Sequence, residues 1–571
     1  MTDRDEVTLF TLDKPIIKGF PELRWTGKRP YNSTQYYPAQ LKETYGDKDD
    51  SGWINKIFWG DNLQVMSHLL KEYRGKIDLI YIDPPFDSKA DYKKKIQLKG
   101  QTIFNDNNTF EEKQYGDIWT NDEYLQFMYE RLILLRELLS DTGTIYVHCD
   151  WHKSHQIRSL LDEVFGPQNF KNEIIWCYTG PQRATNFFSR KHDTILFYCK
   201  SDKNTFNIQR IKHKSGLHGV GGFGFKGGSD DNLSSLEEQG KVLEDWWSDI
   251  STVGRLINEL NGYPTQKPIA LLERIIKAST NPGDLVFDCF MGSGTTQIAA
   301  MKLGRRFIGA DINLGAVQTT TKRLLTIMKE NQSDGMFEEK MTGFEVYNVN
   351  NYDFFRNPVQ ARDLLIEALD IQKYSSSHVF DGELDGRNVK ILPVNRIATK
   401  ADLNELVANL PYKAYEKMRD ENPKEFVDRI TLVCMGHEPD LASVFKQMVG
   451  SFNIDVDVVD ILKDKTCFEF KRDSQANIVV KHNEVIIKDF YPMNLLQKLS
   501  IQKENVDDWT QLVDSIMIDY NFNGETLTPQ IVDVPDKKDV VKGKYKIPSN
   551  HGRIKVKITD LLSESLEIEV N

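Results

Sequence analysis

The sequence predicts an α/β protein: one large unit on a mostly parallel sheet, followed by a small α/β unit and a β-rich unit. Three observations carry this reading. Between residues 53 and 340 short apolar runs alternate with helical patterns, the signature of strands joined through crossover helices. The run "LIYIDPPF" (79–86) closes on a carboxylate and two prolines, which end a strand because they cannot donate to the ladder. The stretch "DLVFDCFMGSGTTQIAAMKLGRRFIGADIN" (284–313) compresses strand, glycine turn, helix and strand into one segment.

In chain order, "NKIFWGDNLQVMSHLL" (55–70) reads strand, turn and helix, and "KIDLIYIDPPF" (76–86) the next strand. "NDEYLQFMYERLILLRELLS" (121–140) is a helix with Asn121 as its N-cap. "GTIYVHCD" (143–150), "NEIIWCY" (172–178) and "HDTILFYCK" (192–200) are strands. Then "TQKPIALLERIIKAST" (265–280), "DLVFDCF" (284–290), "TTQIAAMKLG" (295–304) and "RRFIGADI" (305–312) follow as helix, strand, helix, strand. The polar "KENQSDGMFEEKMTG" (329–343) reads as a linker. The units that result are an N-terminal extension (1–50), the main unit (51–335), a small α/β unit (345–505) and a β-rich unit (506–571). Asn523-Gly524 in the last is a hairpin signal.

Composition narrows the functional classes. Of 571 residues, 40% are hydrophobic and 27% charged, as in ordinary globular proteins. The acidic opening "MTDRDEVTLF" is unlike a secretory signal, and "RLILLRELL" (131–139) is broken by Arg136, so no membrane span is expected. The six cysteines (149, 177, 199, 289, 434, 467) form no CxxC pair, which argues against a disulfide framework or zinc site and for a cytoplasmic protein. With a net charge of −11, any nucleic-acid contact must come from local patches.

The glycine turn is the most informative feature. A strand ends at Asp288, Gly292 and Gly294 make a tight turn, Thr295 and Thr296 open a helix, and the next strand closes on Asp311. Glycines let a backbone approach a ligand, and a carboxylate after the following strand takes ribose hydroxyls, so this is the logic of a nucleoside-cofactor site. The spacing is neither GxGxxG nor GxxxxGK[ST], and Asp288 suits a cationic ligand portion better than a pyrophosphate.

These residues resemble those of a known family. "DCFMGSGTT" is similar to the cofactor motif of the S-adenosylmethionine-dependent DNA amino-methyltransferases, and "DPPF" to their catalytic (D/N/S)PP(Y/F) motif. "NGYPTQKPIALLERIIKAST" resembles their motif X, and the catalytic motif preceding the cofactor motif is the order of the β class. The likeness spans about residues 50–330, and the extended layout looks most like a modification subunit of a type III restriction system.

The resemblance implies a Rossmann-like methyltransferase domain that methylates adenine N6 in double-stranded DNA, for restriction–modification or epigenetic marking. In the family's chemistry an acceptor carboxylate and a backbone carbonyl pull the exocyclic amine towards sp³, so that its lone pair can attack the sulfonium methyl. Asp83 and the carbonyl of Pro84 fill those roles here, Pro85 stiffens the segment, and Phe86, where the family more often has Tyr, stacks on the base. Asp61, Asn62, Lys267, Asp288, Phe290, Gly292, Gly294, Thr295, Thr296 and Asp311 are the implied cofactor residues, with Lys267 reaching the cofactor carboxylate. Asp61 or Asn62 also fits a plain N-cap. The implied partners beyond duplex DNA are a second copy and a cognate restriction or helicase subunit.

DNA contact falls to two basic stretches. Residues 203–229, at the family's target-recognition position (about 201–260), hold five Lys/Arg including Arg210, Lys212, Lys214 and Lys226, with glycines and two phenylalanines. "SKADYKKKIQLK" (88–99) adds Lys93 and Lys94. "HCDWHKSH" (148–155) offers metal-ligand types, but as a strand-to-helix turn it fits pocket lining better, and no metal is expected. The rival readings are N4-cytosine or RNA methylation, and a non-catalytic cofactor- and DNA-binding subunit of a defence complex.

Overall fold

The computed structural model describes residues 9–12, 22–85, 91–97, 99, 109–116, 121–180, 184–211, 240–253, 259, 263, 265–334, 341–349, 362, 365–366, 369, 371–374, 379–393, 398, 400–421, 425–434, 437, 441–450, 452–460, 474–501, 506, 508–535 and 539–570. Ten strands form its main sheet: β1 (Ala39–Tyr45), β2 (Asn55–Trp59), β3 (Ile77–Ile82), β4 (Leu139–Cys149), β5 (Phe170–Cys177), β6 (His192–Cys199), β7 (Trp246–Trp247), β8 (Leu285–Asp288), β9 (Arg306–Asp311) and β10 (Phe344–Val349). Their spatial order is β7-β5-β6-β4-β3-β8-β9-β2-β10-β1. The run from β4 to β10 is parallel throughout; β6 is antiparallel to both β4 and β5, and β1 to β10.

Helices α1 (Asn62–Tyr73), α2 (Asn121–Leu138) and α3 (Ser154–Phe165) cover one face; α4 (Ile269–Ser279), α5 (Thr295–Lys302) and α6 (Leu314–Asp334) cover the other. The two-residue strand period sorts the core between them. Ile80, Ile82 and Val147 pack with Val65, Leu69, Leu132 and Leu161, whereas Leu79, Tyr81 and Tyr146 pack with Leu272, Ile275 and Ile298. Among the described residues no helix is long and apolar enough to cross a membrane.

The sheet draws on more of the chain than the expected 51–335. β1 comes from the N-terminal extension and β10 from beyond the expected linker, whose first half continues α6 as far as Asp334. β1 reads "AQLKETY", with no apolar alternation strong enough to mark an edge strand.

Farther along the chain, Gln372–Lys373, Gly382–Leu384, Arg387–Ile391, Asp428–Cys434 and Ile454–Asp460 form a five-stranded sheet, the last three parallel. Gln475–Lys481, Glu484–Tyr491 and Lys544–Lys546 make a second sheet, so pairing crosses the expected border at 505/506. Val513–Asp519, Ile531–Asp533, Ile554–Asp560 and Ser565–Val570 make a third. Asn523-Gly524 lies in the connection 520–530 of an antiparallel pair, but not as a two-residue turn: the Asn523 side chain accepts from the N–H of Glu525 and of Thr526 at 2.8 and 2.9 Å.

This third sheet docks on the main one. Leu527 exchanges backbone hydrogen bonds with β1 (Thr44 N–H to Leu527 O at 3.0 Å, Leu527 N–H to Lys42 O at 2.9 Å). Met517 and Leu527 join the core of the α4–α6 face, and the Lys557 ammonium pairs with buried Glu43.

Candidate active site

β3 and β8 adjoin in mid-sheet, and the chain leaves them in opposite directions, β8 towards β9 and β3 towards β4. A crevice opens at the carboxyl ends of such a pair. Here it is a cavity of about 370 Å³, lined from β2 onward by Asp61, Asn62, Tyr81, Asp83, Pro85 and Phe127, by Tyr263 to Lys267 without the undescribed 264, and by the glycine turn and Asp311. That size suits a small-molecule ligand.

On the β8 side the glycine turn is held from below and behind. Gly292 and Gly294 have φ of +51° and +76°, the left-handed region where side chains are strained. A Cβ on Gly294 would stand 2.4 Å from Thr320 Cγ2; one on Gly292 would stand 3.3 Å from the Tyr263 ring at the cavity wall. The Gly292 N–H donates to Asp311 Oδ2 (2.9 Å), and Arg323 of α6 donates to the Ser293 carbonyl at 2.5 Å.

Two carboxylates, buried Asp288 and half-buried Asp311, face this turn. Asp288 accepts from Thr296 Oγ1 (2.6 Å) and from the Phe290 N–H (2.9 Å). Burial nevertheless pushes its pKa up to about 7, with the charges of Asp83 and Asp311 adding to the rise. Asp311 accepts from Asn313 and Gly292 N–H, and burial lifts it to about 6. A cavity with two such carboxylates, and with no cation paired to Asp288 among the described residues, fits a ligand carrying positive charge and ribose hydroxyls.

Asp83 follows β3 directly. Its Oδ2 is paired with the Lys267 ammonium, while Oδ1 is buried and has no hydrogen-bond partner among the described residues. A buried acceptor left unanswered costs on the order of 1–3 kcal/mol, so the arrangement awaits an N–H donor. Pro84 is buried and Pro85 lies at the cavity; Phe86 is outside the described residues. The expectation for Lys267 is the cofactor carboxylate, yet its ammonium sits on Asp83. Lys267 precedes α4 by two residues and is nine-tenths buried, so the adjacent carboxylate is its natural counter-charge.

Asp61 caps α1, accepting from Leu63 N–H at 2.9 Å, so cap and cavity wall are one residue. Asn62 donates to the Cys289 carbonyl (3.3 Å), tying the two halves of the cavity together. Both are held by a residue that sequence reasoning misses: buried Arg131 of α2 donates to Asn62 Oδ1 (2.5 Å) and pairs with Asp61 (3.3 Å). Phe290, Thr295 and Thr296 line the cavity; Gly294 shapes the turn from outside it.

Tyr81 is a second residue missed. Its hydroxyl lies 2.9 Å from Nδ1 of fully buried His148, whose Nε2 is 3.1 Å from Asp193. A carboxylate only accepts, so the proton in the contact with Asp193 is on Nε2. Burial alone would raise Asp193, but the His148 hydrogen bond holds its carboxyl below the usual range. The candidate metal ligands of 148–155 thus diverge: His148 faces Tyr81, His152 sits on Asp150 at 2.5 Å, and His155 is exposed. Among the described residues no three His, Cys, Asp or Glu could hold a metal ion.

Of the candidate DNA-binding residues, Lys93 and Lys94 lie on Asp91–Gln97, paired antiparallel with Thr109–Gly116. Arg210 is exposed on a two-residue strand pairing with Lys241–Val242. Lys212, Lys214 and Lys226 lie outside the described residues.

The chain matches a family model described as DNA methylase over residues 77–322. It is 30% identical over 326 residues to the type II methyltransferase M.EcaI of Enterobacter cloacae, covering 47% of this chain and 69% of that one. It is 32% identical over 269 residues to M.HpaI of Haemophilus parainfluenzae (46% and 74%), likewise a type II methyltransferase. Among solved structures, it matches the M1.HpyAVI–SAM complex with a TM-score of 0.31 and 23% identity, over 47% of this chain and 98% of that one.

Proposed function

The chain belongs to the DNA methylase family, whose members methylate exocyclic base nitrogens with S-adenosylmethionine, and from that premise we propose that it methylates adenine N6 in duplex DNA, in restriction–modification or a related marking role. The observation that carries the reading is Asp83, with one oxygen on Lys267 and the other buried and without a hydrogen-bond partner among the described residues. An Asp rather than Ser in the DPPF motif favours adenine over cytosine.

When bound, the cofactor supplies an electrophilic methyl group on sulfonium sulfur. The protein's share is placement and charge. Asp288 ionises against positive charge, Asp311 takes ribose hydroxyls, and the glycine turn allows backbone contact. Asp83 Oδ1 and the Pro84 carbonyl accept the two N–H bonds of the target amine, freeing its lone pair for in-line attack. The Asp83–Lys267 pair fixes the carboxylate before the base arrives, so little reorganisation is left for the reaction.

Modification-sensitive sequencing of DNA from cells expressing the protein tests this. The expected result is N6-methyladenine at one short sequence, absent with Asp83→Ala. N4-methylcytosine in its place would reassign the base; no mark on DNA would sink the activity.

A further inference from the structure

The strands on the Asp83 side of the sheet bring one more group of residues to the same edge. β4 runs parallel to β3 with Val147 level with Ile82, so the chain just past Cys149 emerges beside Asp83. β6 pairs Thr194 with Cys149, and β5 pairs Cys177 with His192, so the β5–β6 connection emerges there too. Trp151 lies two residues past the end of β4, the strand that neighbours β3.

Here side chains stack in the open. The Trp151 ring lies 3.7 Å from His152 on one side, and the Arg190 guanidinium lies 3.6 Å from Trp151 and 4.9 Å from Phe187. Trp151 is 43% exposed, Phe187 55% and Phe188 98%. The loop is braced by a hydrogen bond from Ala184 N–H to Ser189 Oγ (3.0 Å), and residues 184–191 carry Arg190 and Lys191 with no acid. A purely apolar partner would have to bury Arg190. Nucleobases strung on phosphates match the whole surface, offering π faces to the rings and anions to the cations.

We propose that this surface grips duplex DNA beside the target, with Phe188 entering the base stack at the place the extruded base leaves. The inference rests on the DNA-methylating activity proposed above. A wedge of this kind offsets lost stacking, so its value depends on how firmly the target pair is held.

The test uses the full chain and a duplex bearing the site found by sequencing, either matched or with an abasic position opposite the target. Phe188→Ala removes an almost fully exposed ring, so the fold should be untouched. On matched duplex its kcat/KM should fall about ten- to hundredfold, the range of one base–aromatic contact, and return to within about threefold of the parent on the abasic duplex. Phe188→Leu, which keeps an apolar wedge, should retain most of the activity. Parent-like rates on matched duplex, or an equal loss on both duplexes, would overturn the wedge. Arg190→Ala should lower the log–log salt slope of duplex binding by about 0.9, whatever the sequence; an unchanged slope would overturn the grip. A parent protein inactive on every duplex is a different failure, that of the methylating activity itself, because the parent is the reference for both variants.

Discussion

Glu43 on edge strand β1 and Asp83 and Asp288 at mid-sheet are carboxylates of one sheet, and their surroundings treat them in opposite ways. Glu43 is fully answered: Oε1 pairs with Lys557, and Oε2 accepts from the Tyr45 hydroxyl at 2.7 Å, with the Met517 sulfur 3.1 Å from that hydroxyl. Asp83 is half answered among the described residues, and Asp288, though hydrogen-bonded, is pushed up to about 7 by its burial, with Asp83 and Asp311 adding to the rise. A satisfied buried charge serves the fold. An unsatisfied one marks where a ligand completes the structure.

The contrast can be broken at three points. Removing the half-answered carboxylate should do most: Asp83→Ala should cut methyl transfer by about 10³-fold, the scale of losing one transition-state-orienting hydrogen bond, yet leave cofactor affinity within a few-fold. Single-turnover methylation set against calorimetric cofactor titration checks this, and comparable losses in both would show that Asp83 serves the cofactor instead.

Breaking the answered pair should act on stability. Lys557→Met strands Glu43 and should cost about 3–5 kcal/mol in denaturant unfolding. The double variant Glu43→Leu with Lys557→Met should recover most of that, because an isosteric apolar pair is often neutral. Equal instability of single and double variants would mean that Lys557 matters through its other contacts.

The smallest effect is a pH dependence. A cation beside Asp288 lowers its pKa, so binding releases the proton that the ligand-free carboxyl holds below about 7. Cofactor affinity should therefore rise about tenfold from pH 6 to pH 8 and level off above, and titration in buffers of different ionisation heat should report proton release at pH 6. The linked stability runs the other way. With its pKa raised on folding, Asp288 costs the ligand-free protein stability as pH rises from about 4 through 7. A flat affinity profile would place the cation elsewhere.

The mid-sheet site is far more legible in the sequence than the edge. Asp83, Asp288 and Asp311 each end or follow an apolar run, and Gly292 follows Asp288 by four residues, so local pattern alone puts them at or just past strand tips on one side of a parallel sheet. Tyr81 shares Asp83's side of β3 by the two-residue period, but a tyrosine inside "LIYI" reads as one more core residue until His148 is found against its hydroxyl. Arg131 is opaque for a different reason. Its partners Asp61 and Asn62 are 70 and 69 residues away, and an arginine in an amphipathic helix ordinarily faces water. Glu43 and Lys557 are 514 residues apart, and no periodicity spans that distance.

That separation also sets an order of events during synthesis. Strand β1 leaves the ribosome ahead of its cover: the Leu527 backbone and the Lys557 ammonium come more than four hundred residues later. At the usual 5–20 residues per second, the 514 residues between Glu43 and Lys557 amount to roughly 25–100 s. Through that interval the rim of the main sheet stays wet and unpaired, while the cavity between β3 and β8 can already close. A chain that stalls before residue 513 leaves that border open, an edge available to any passing strand. The strands from Val513 onward thus close a seam begun at β1.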